Sequence, residues 1–270
     1  MYPKCVAGLE PVPFNITTHN SEVLRVPANP QGRDFVIGDL HGHYPSLVDL
    51  LAQVSFDDSV DRLFSVGDLI DRGPDSLACL QLLQQPWFYA VLGNHEAMCF
   101  DAVKILLTTS ADSRNAQENL VLQDYVELYE GDWLLHLHAA ELLQVAELLA
   151  TLPVIISVGD AEKLCHIVHG ELGQIDGRDI LDSDIEAWQS QAIPPTTRQR
   201  CLSGRNLINL ALSGTEPAMR PGLSQTYCGH SPVRFRLQYA SHRFIDSGGC
   251  FADGHFTLLQ IHTDRIFLSP

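Results

Sequence analysis

Positive charge is scarce in this 270-residue chain, which has 17 lysines and arginines against 33 aspartates and glutamates, a formal net charge of −16. Such a surplus of negative charge repels the backbone of nucleic acids, so we expect no nucleic-acid partner. Long apolar runs are also lacking, because histidines, glutamates and a proline interrupt the most apolar stretch, residues 133–158. The first 20 residues have no basic start followed by an apolar segment. We therefore expect neither a signal peptide nor a membrane association.

The seven cysteines form no Cys-x-x-Cys pair, and their number is odd. Both facts argue against a secreted disulfide framework and against a structural zinc site built from thiolates. We therefore expect a reducing, cytoplasmic environment. Sequence repeats at a fixed period are absent as well, which excludes solenoids and propellers. The hydrophobic content of 45% is typical of a globular protein.

The organisation of the chain changes near residue 33. Residues 1–32 contain five prolines and no sustained apolar period, which predicts an irregular N-terminal arm. Residues 33–270 alternate short apolar runs with helical patterns, which is typical of an α/β domain. Helical spacing over about 97–150 predicts a helical cap on this domain. After Pro153 the chain is rich in short strands, which we expect to pair mostly antiparallel.

The first three predicted strands, at 35–37, 63–66 and 88–92, all end in polar loops that contain glycine. One such loop is more often ordinary turn chemistry than a site. Three loops of the same kind are harder to explain in that way, because the carboxyl ends of neighbouring parallel strands meet at one edge of a sheet. The loops read Gly38-Asp39-Leu40-His41-Gly42, Gly67-Asp68-Leu69-Ile70-Asp71-Arg72-Gly73 and Gly93-Asn94-His95-Glu96.

Two further histidines, in His169-Gly170 and Gly229-His230, also stand at predicted strand ends. A set of aspartate, histidine and asparagine without thiolate suits manganese, iron or zinc. Six ligands exceed the needs of one tetrahedral ion, so we expect two divalent ions that share one carboxylate. The first would be held by Asp39, His41 and Asp68, and the second by Asp68 as a bridge with Asn94, His169 and His230.

In this order, the blocks resemble the phosphoprotein phosphatase family of dinuclear metallophosphatases, whose pattern is GDxHG, GDxxDRG, GNHE, HG and GH. The resemblance extends from about residue 33 to the C-terminus. With the stretch Gly131-Asp132-Trp133, the chain is similar in detail to the small bacteriophage lambda-type and bacterial serine/threonine phosphatases. The resemblance implies a calcineurin-like metallophosphoesterase β-sandwich flanked by helices, with two catalytic metal ions, manganese being the first expectation.

The activity implied by the resemblance is hydrolysis of phosphoserine and phosphothreonine in proteins or peptides, with phosphotyrosine as a further candidate. A hydroxide that bridges the two ions would attack phosphorus. We expect His95 to protonate the leaving alkoxide, a contribution of about 10²–10⁴-fold. Asp71 would orient His95, while Arg72 and Asn94 would contact the phosphate oxygens.

The family also has a second phosphate-binding arginine between the last two histidine ligands, and Arg205 is the best match. Arg178, Arg198 and Arg200 lie in the same interval and remain alternatives. Glu171 stands where relatives usually have a small residue. We expect its carboxylate to lie near the metals and to disfavour highly charged substrates.

Three alternatives remain open. A symmetrical dinucleoside tetraphosphatase or a polyphosphatase would share the fold and the ligands, although tetraphosphatases usually lack the Asp71-Arg72 pair and have aspartate in place of Glu96. A non-catalytic binding module is the third, but such proteins lose ligands, and all six metal positions are present here.

Overall fold

A computed structural model describes residues 22–217, 221–234, 237–263 and 265–269 of the protein. The described part contains thirteen strands: β1 Val23–Val26, β2 Asp34–Ile37, β3 Arg62–Ser65, β4 Phe88–Ala90, β5 Ile155–Val158, β6 Cys165–Val168, β7 Gln174–Ile175, β8 Arg178–Asp179, β9 Gln225–Cys228, β10 Leu237–Tyr239, β11 His242–Phe244, β12 Thr257–Gln260 and β13 Ile266–Leu268. It also contains eight α-helices: α1 Tyr44–Gln53, α2 Ser76–Gln81, α3 Asn94–Thr108, α4 Ala116–Tyr129, α5 Ala139–Leu149, α6 Asp182–Ala187, α7 Pro195–Ser203 and α8 Asn206–Leu212.

Two sheets hold all but the short β7–β8 hairpin. The first has five strands in the order β13-β12-β2-β3-β4, of which β2, β3 and β4 are parallel. The second has six strands in the order β1-β5-β6-β9-β11-β10, of which β6, β9 and β11 are parallel. Each sheet therefore has three adjacent parallel strands whose carboxyl ends lie at one edge.

Alternating side chains join the sheets into a sandwich. In β2, Val36 packs between the sheets, whereas Phe35 faces the helices. In β3, Phe64 packs between the sheets and Leu63 faces the helices. Side chains on a strand alternate between its two faces, so nearly continuous apolar strands are what a sheet covered on both faces requires. The predicted α/β sandwich flanked by helices is confirmed.

The outer face of each sheet is covered by helices. Buried residues of α1 to α5 share one core with β2, β3 and β4, and Tyr125 of α4 is among its largest fully buried side chains. The helices predicted between 97 and 150 thus pack in the same core as the sheet that they cover. Buried residues of α6, α7 and α8 form a separate core on the second sheet.

One sequence-based expectation is wrong in part, and another is confirmed. The N-terminal arm is not irregular throughout, because Val23–Val26 forms β1 and pairs in parallel with β5; residues 1–21 of that arm lie outside the described residues. Four residues that directly precede Pro27, in a segment rich in proline, show too little alternation to be recognised. The expectation of mostly antiparallel pairing after Pro153 is confirmed, because β5–β6, β7–β8, β10–β11, β2–β12 and β12–β13 are antiparallel pairs. Besides the β1–β5 pair, the exception is β9, which is parallel to both β6 and β11. Helices α6 to α8 provide the long crossover that a parallel pair needs.

Within the described ranges, no helix has both the length and the apolar composition to cross a membrane.

The strand at Val23–Val26 can be tested by charge substitution. Val26 is 4% exposed in the core between the sheets, whereas Leu24, two residues away, is 37% exposed. We expect V26D to lower the free energy of unfolding by about 3–5 kcal/mol, because it buries an unpaired charge. The matched variant L24D should change it by about 0.5 kcal/mol or less. Urea unfolding measures both, and equal effects would contradict the assignment of β1.

Candidate active site

The candidate site residues lie at the ends of the parallel strands of both sheets. Asp39 and His41 follow β2, Asp68 follows β3, and His169 and His230 follow β6 and β9. Asn94 and His95 begin α3 directly after the β4 connection. The strand order places all of these side chains along one edge of the sandwich, as the loop pattern predicts.

Asp68 lies at the centre of this cluster. Its Oδ2 atom is 3.8 Å from Nε2 of His41, 3.9 Å from Nε2 of His95 and 3.3 Å from Nε2 of His169. Two groups able to hold a metal ion share Asp68, one with His41 and His95 and the other with His169 and His230. This is the arrangement that a bridging ligand requires, although the bridging role itself remains a prediction.

Asp39 and Asn94 lie beside these groups. The Asn94 Oδ1 atom is 3.0 Å from Nε2 of His169, which places it next to the second group. The Asp39 carboxylate accepts the His230 N–H at 3.0 and 3.2 Å. Among the described residues, Asp39 belongs to neither group. We expected Asp39 beside His41 and Asp68, but His95 is the third member of that group.

Hydrogen bonds orient two of the imidazoles. His41 donates from Nδ1 to the Ile70 carbonyl at 3.0 Å, and His169 donates from Nδ1 to the Val66 carbonyl at 2.8 Å. These bonds fix the ring orientation and leave Nε2 of each ring directed at Asp68. Such backbone support is usual for histidines that bind metals.

The protonation states of His41 and His230 fit cation binding. Burial lowers the pKa of His41 to about 3, with a further contribution from His95. Burial and the neighbouring His169 likewise lower the pKa of His230 to about 3. Both imidazoles are therefore neutral at pH 7 and can offer a lone pair to a metal ion.

Buried negative charge is crowded in the same place. Burial raises the pKa of Asp39, and the carboxylates of Asp246 and Asp68 raise it further. Burial and Asp68 also raise the pKa of Asp246 to about 6. For Asp68, burial is opposed by His169 and His95, which bring its pKa well below the ordinary value. A bound cation would neutralise the repulsion between buried carboxylates arranged in this way, so the residues fit divalent metal ions.

Asp246 was not among the predicted residues. It lies two residues after the end of β11, and its Oδ1 accepts the Gly248 N–H at 2.8 Å. The sequence contains a signal for it, because an acidic residue at the end of a predicted strand, followed by glycines, repeats the pattern of the first loops.

Two glycines permit the close packing of these loops. A Cβ atom at Gly93 would collide with Oδ1 of Asp68, and one at Gly229 would collide with Oδ1 of Asp39. Both carboxylates therefore occupy space that any other residue would fill.

Backbone strain is concentrated in the site. His41, Asp68, Asp71, Arg72 and His230 all have φ between 43° and 72°, in the left-handed region. Each such residue costs of the order of 1–3 kcal/mol, so the surrounding contacts must hold it in place.

Glu96 supplies such contacts around Asp68. Its two carboxylate oxygens accept the N–H groups of Gly93 and Asp68 at 2.9 Å and of Leu69 at 2.7 Å. Burial and the charge of Asp68 raise the pKa of Glu96 to about 7. Sequence reasoning used Glu96 only to separate families and missed this structural role. The bond to the Gly93 N–H follows the capping-box spacing at the start of α3, whereas no spacing rule reveals the bonds to Asp68 and Leu69.

His95 is held by a fully buried carboxylate. Its Nδ1 donates to Asp71 Oδ2 at 2.7 Å, as predicted from the motif. The other oxygen of Asp71 accepts the Tyr125 hydroxyl at 2.6 Å and the Trp133 indole N–H at 2.7 Å. Burial would lower the pKa of His95, but Asp68 and Asp71 raise it above the ordinary value. The helical region over the site thus contributes two positioning groups that sequence reasoning did not assign.

A groove of about 650 Å³ opens from these residues to the surface. Its lining includes Asn94, His95 and His230 together with residues of α3, α4 and α7. Arg72 lies over the cluster, where its Nη1 donates to His41 Nε2 at 2.7 Å.

Arg205 lies on the same groove, with Nη2 at 3.5 Å from the His230 carbonyl. Of the three alternatives, Arg178 pairs with Asp184, and Arg200 donates to the Gln174 carbonyl. Arg198 also lines the groove, but its Nε donates to Glu22 at 2.6 Å. The geometry therefore favours Arg205 for a second contact with phosphate.

Glu171 does not have the position that we expected for it. Its Oε2 accepts the Leu207 N–H at 2.7 Å, in the first turn of α8. The prediction that this carboxylate points towards the metals is wrong, because a buried carboxylate needs donors and the N–H groups at the start of a helix supply them.

Comparisons with known proteins agree with this geometry. The sequence profile of the Calcineurin-like phosphoesterase family matches residues 35–235, and the chain belongs to this family. It is 34% identical to serine/threonine-protein phosphatase 1 of Salmonella typhimurium over 84% of this chain and 91% of the relative. It is also 28% identical to the symmetrical bis(5'-nucleosyl)-tetraphosphatase of Xylella fastidiosa strain M23, over 87% of this chain and 89% of the relative.

Solved structures give the same result for the fold. A crystal structure described provisionally as a diadenosine tetraphosphatase is 25% identical, with a TM-score of 0.60, and covers 93% of this chain and 98% of its own. A serine/threonine phosphatase from Saccharomyces cerevisiae, 15% identical with a TM-score of 0.54 over 92% of this chain and 83% of its own, supports the fold alone. The calcineurin-like architecture predicted from the motifs is confirmed, and this family uses divalent metal ions.

Metal binding can be tested without an activity assay. We expect manganese to raise the melting temperature of protein that has first been stripped of metal by a chelator. A ligand at 100 times its Kd stabilises the folded state by about 2.7 kcal/mol. D68N should remove most of this shift and should lower metal content more than D39N does, because Asp68 belongs to both candidate groups. Elemental analysis and thermal unfolding measure both effects.

The control for this experiment is D184N, which changes an aspartate in a surface ion pair with Arg178. It should leave the metal content unchanged. Two ions retained in D68N would contradict the shared role of Asp68.

Proposed function

We propose that the protein is a metal-dependent phosphomonoesterase that hydrolyses phosphoserine and phosphothreonine in proteins or peptides, with phosphotyrosine as a further substrate. The observation that carries the proposal is the buried His95–Asp71 pair, which is directed at the Asp68 cluster. An alkoxide is a poor leaving group without a proton, and this pair is built to supply one. The 91% coverage of the Salmonella phosphatase supports the same substrate class.

The residues divide the work as follows. When bound, two divalent ions would lower the pKa of water to about 7 and neutralise phosphate charge. The carboxylate, amide and imidazole donors favour manganese, with iron or zinc as alternatives. The ligands in this proposal are Asp39, His41, Asp68, Asn94, His169 and His230.

Substrate contacts come from this chain's own cations. Arg72 and Arg205 line the groove from which His95 is reached, and the planar guanidinium groups match phosphate oxygens. His95 would deliver its proton from Nε2 to the leaving oxygen, while Asp71 holds Nδ1–H and stabilises the charged ring. Asn94 would contact both a metal ion and the substrate.

A symmetrical dinucleoside tetraphosphatase is the second candidate. Relatives with that name reach 28% identity over 87% of the chain. The Asp71-Arg72 pair argues for the protein phosphatase, because tetraphosphatases usually lack it. A polyphosphatase of the same fold is a weaker alternative.

The setting of this activity is also a proposal. We propose that residues 33–270 form the catalytic domain with a cap at about 97–150, which is supported by the bonds of Tyr125 and Trp133 to Asp71. We propose a cytoplasmic location, supported by the free thiols of the six described cysteines. The partner would be a phosphorylated protein, with neither nucleic acid nor membrane involved.

The role of His95 can be tested through the leaving group. We expect H95N to lower kcat by about 10²–10⁴-fold on a phosphoserine peptide, and by less on an aryl phosphate, whose phenolate needs less help from an acid. D71N should lower kcat more than it raises KM, because it removes the anion that orients His95. Metal content, measured in parallel, should not change. Equal losses on both substrates would exclude His95 as the general acid.

A substrate panel tests the assignment itself. Under manganese, iron, zinc and magnesium in turn, we expect kcat/KM to be higher for a phosphoserine peptide than for diadenosine tetraphosphate or polyphosphate. A preference for diadenosine tetraphosphate would replace the proposal with the second candidate. Activity that survives exhaustive chelation would overturn both.

A further inference from the structure

The segment that carries Arg205 is a short connection between two helices. Helix α7 ends at Ser203, and α8 begins at Asn206, so Arg205 stands in a link of two residues. Its side chain is exposed on the groove and lies near the carbonyl of His230. An exposed arginine in such a link needs support from behind if it is to hold one position.

Glu171 provides this support from the interior. It is 1% exposed, and its Oε2 accepts the Leu207 N–H at 2.7 Å, two residues after Arg205. On the other side of Arg205, Gly204 lies against the Glu171 side chain, where a Cβ would come within 2.5 Å of Cγ. Glu171 thus contacts the residue before Arg205 and the second residue after it.

The backbone at Glu171 is tied to the end of α7 as well. Gly170 N–H donates to the Cys201 carbonyl at 2.5 Å, and Glu171 N–H donates to the Arg200 carbonyl at 3.1 Å. The same short segment begins with His169, whose Nε2 lies 3.3 Å from Asp68. One rigid connection therefore joins the candidate metal ligand to the link that carries Arg205.

We propose that Glu171 is a positioning residue that fixes Arg205 relative to the metal cluster, and that its effect is on phosphate binding. The proposal rests on the phosphate-binding role of Arg205 under the proposed function. Glu171 does not touch the substrate in this account. A carboxylate suits the position because its bond to a backbone N–H at the start of a helix is charge-assisted and resists displacement.

The test is a double-mutant cycle on the metal-loaded enzyme, with an aryl phosphate as substrate and inorganic phosphate as a competitive inhibitor. We expect E171L to raise both KM and the phosphate inhibition constant by about tenfold, with a smaller change in kcat. R205A should have at least that effect. Because Glu171 acts through Arg205, the double variant should equal R205A alone.

Conservative and second-site variants separate positioning from general stability. E171Q retains an oxygen that accepts the Leu207 N–H, so it should restore KM to within about threefold of the parent. A Cβ at Gly204 would collide with Glu171 Cγ at 2.5 Å and with the Arg200 carbonyl at 2.6 Å, so G204A should displace the link that carries Arg205 and raise KM, with no further effect in an R205A background. If E171L does not fold, E171A takes its place in the cycle.

The control is E118L, since Glu118 also accepts a backbone N–H at a helix start, that of Asn115 before α4. It should leave KM unchanged. The positioning role would be overturned if the effects of E171L and R205A on KM were additive in the double variant. It would also be overturned if E171L lowered the free energy of unfolding but left KM unchanged. An unchanged KM in R205A would remove the premise. None of these results would change the expected preference for a phosphoserine peptide in the substrate panel, so the proposed function is tested separately.

Discussion

The Asp68 carboxylate is the group on which the arrangement of the site depends. It is buried at the end of β3, the strand between β2 and β4, and a buried anion must be paired. Imidazoles from three other loops surround its Oδ2 atom, and His95 N–H donates to its Oδ1 atom. Asp39 and Asp246 add negative charge that these groups do not fully balance. This crowding of buried carboxylates fits a site that holds divalent cations.

The helices over the first sheet link stability to chemistry. Tyr125 is a large core side chain, yet its hydroxyl is bonded to Asp71, which in turn holds His95. The proposed proton donor is thereby positioned by the same packing that covers the sheet. On the second sheet, Glu171 has the corresponding place behind Arg205. Each sheet contributes one half of the candidate centre, and each half is supported by its own layer of helices.

The central strands and the motif residues could be predicted because each depends on local pattern. Apolar runs followed by Gly-Asp or Gly-Asn identify β2, β3 and β4. Strand β1 was missed, since four residues near prolines give little periodicity, and α6, α7 and β13 gave no clear signal. Asp246 could have been found from its place after a strand. The contacts of Glu96, Trp133 and Glu171 could not, because each joins residues distant in sequence or depends on a turn geometry that no spacing rule encodes.

The sequence by itself determined the chemical nature of the site. Its residue types and their places at strand ends specify a cluster of carboxylates and imidazoles with an acid and two arginines nearby. Only the tertiary structure decided which partner each of these groups has: that Asp68 lies between two groups of ligands, that Asp39 accepts the His230 N–H, and that Glu171 is directed at α8. The physical reason is that side-chain identity and strand position are local properties, whereas charge pairing depends on distances between segments that only folding brings together.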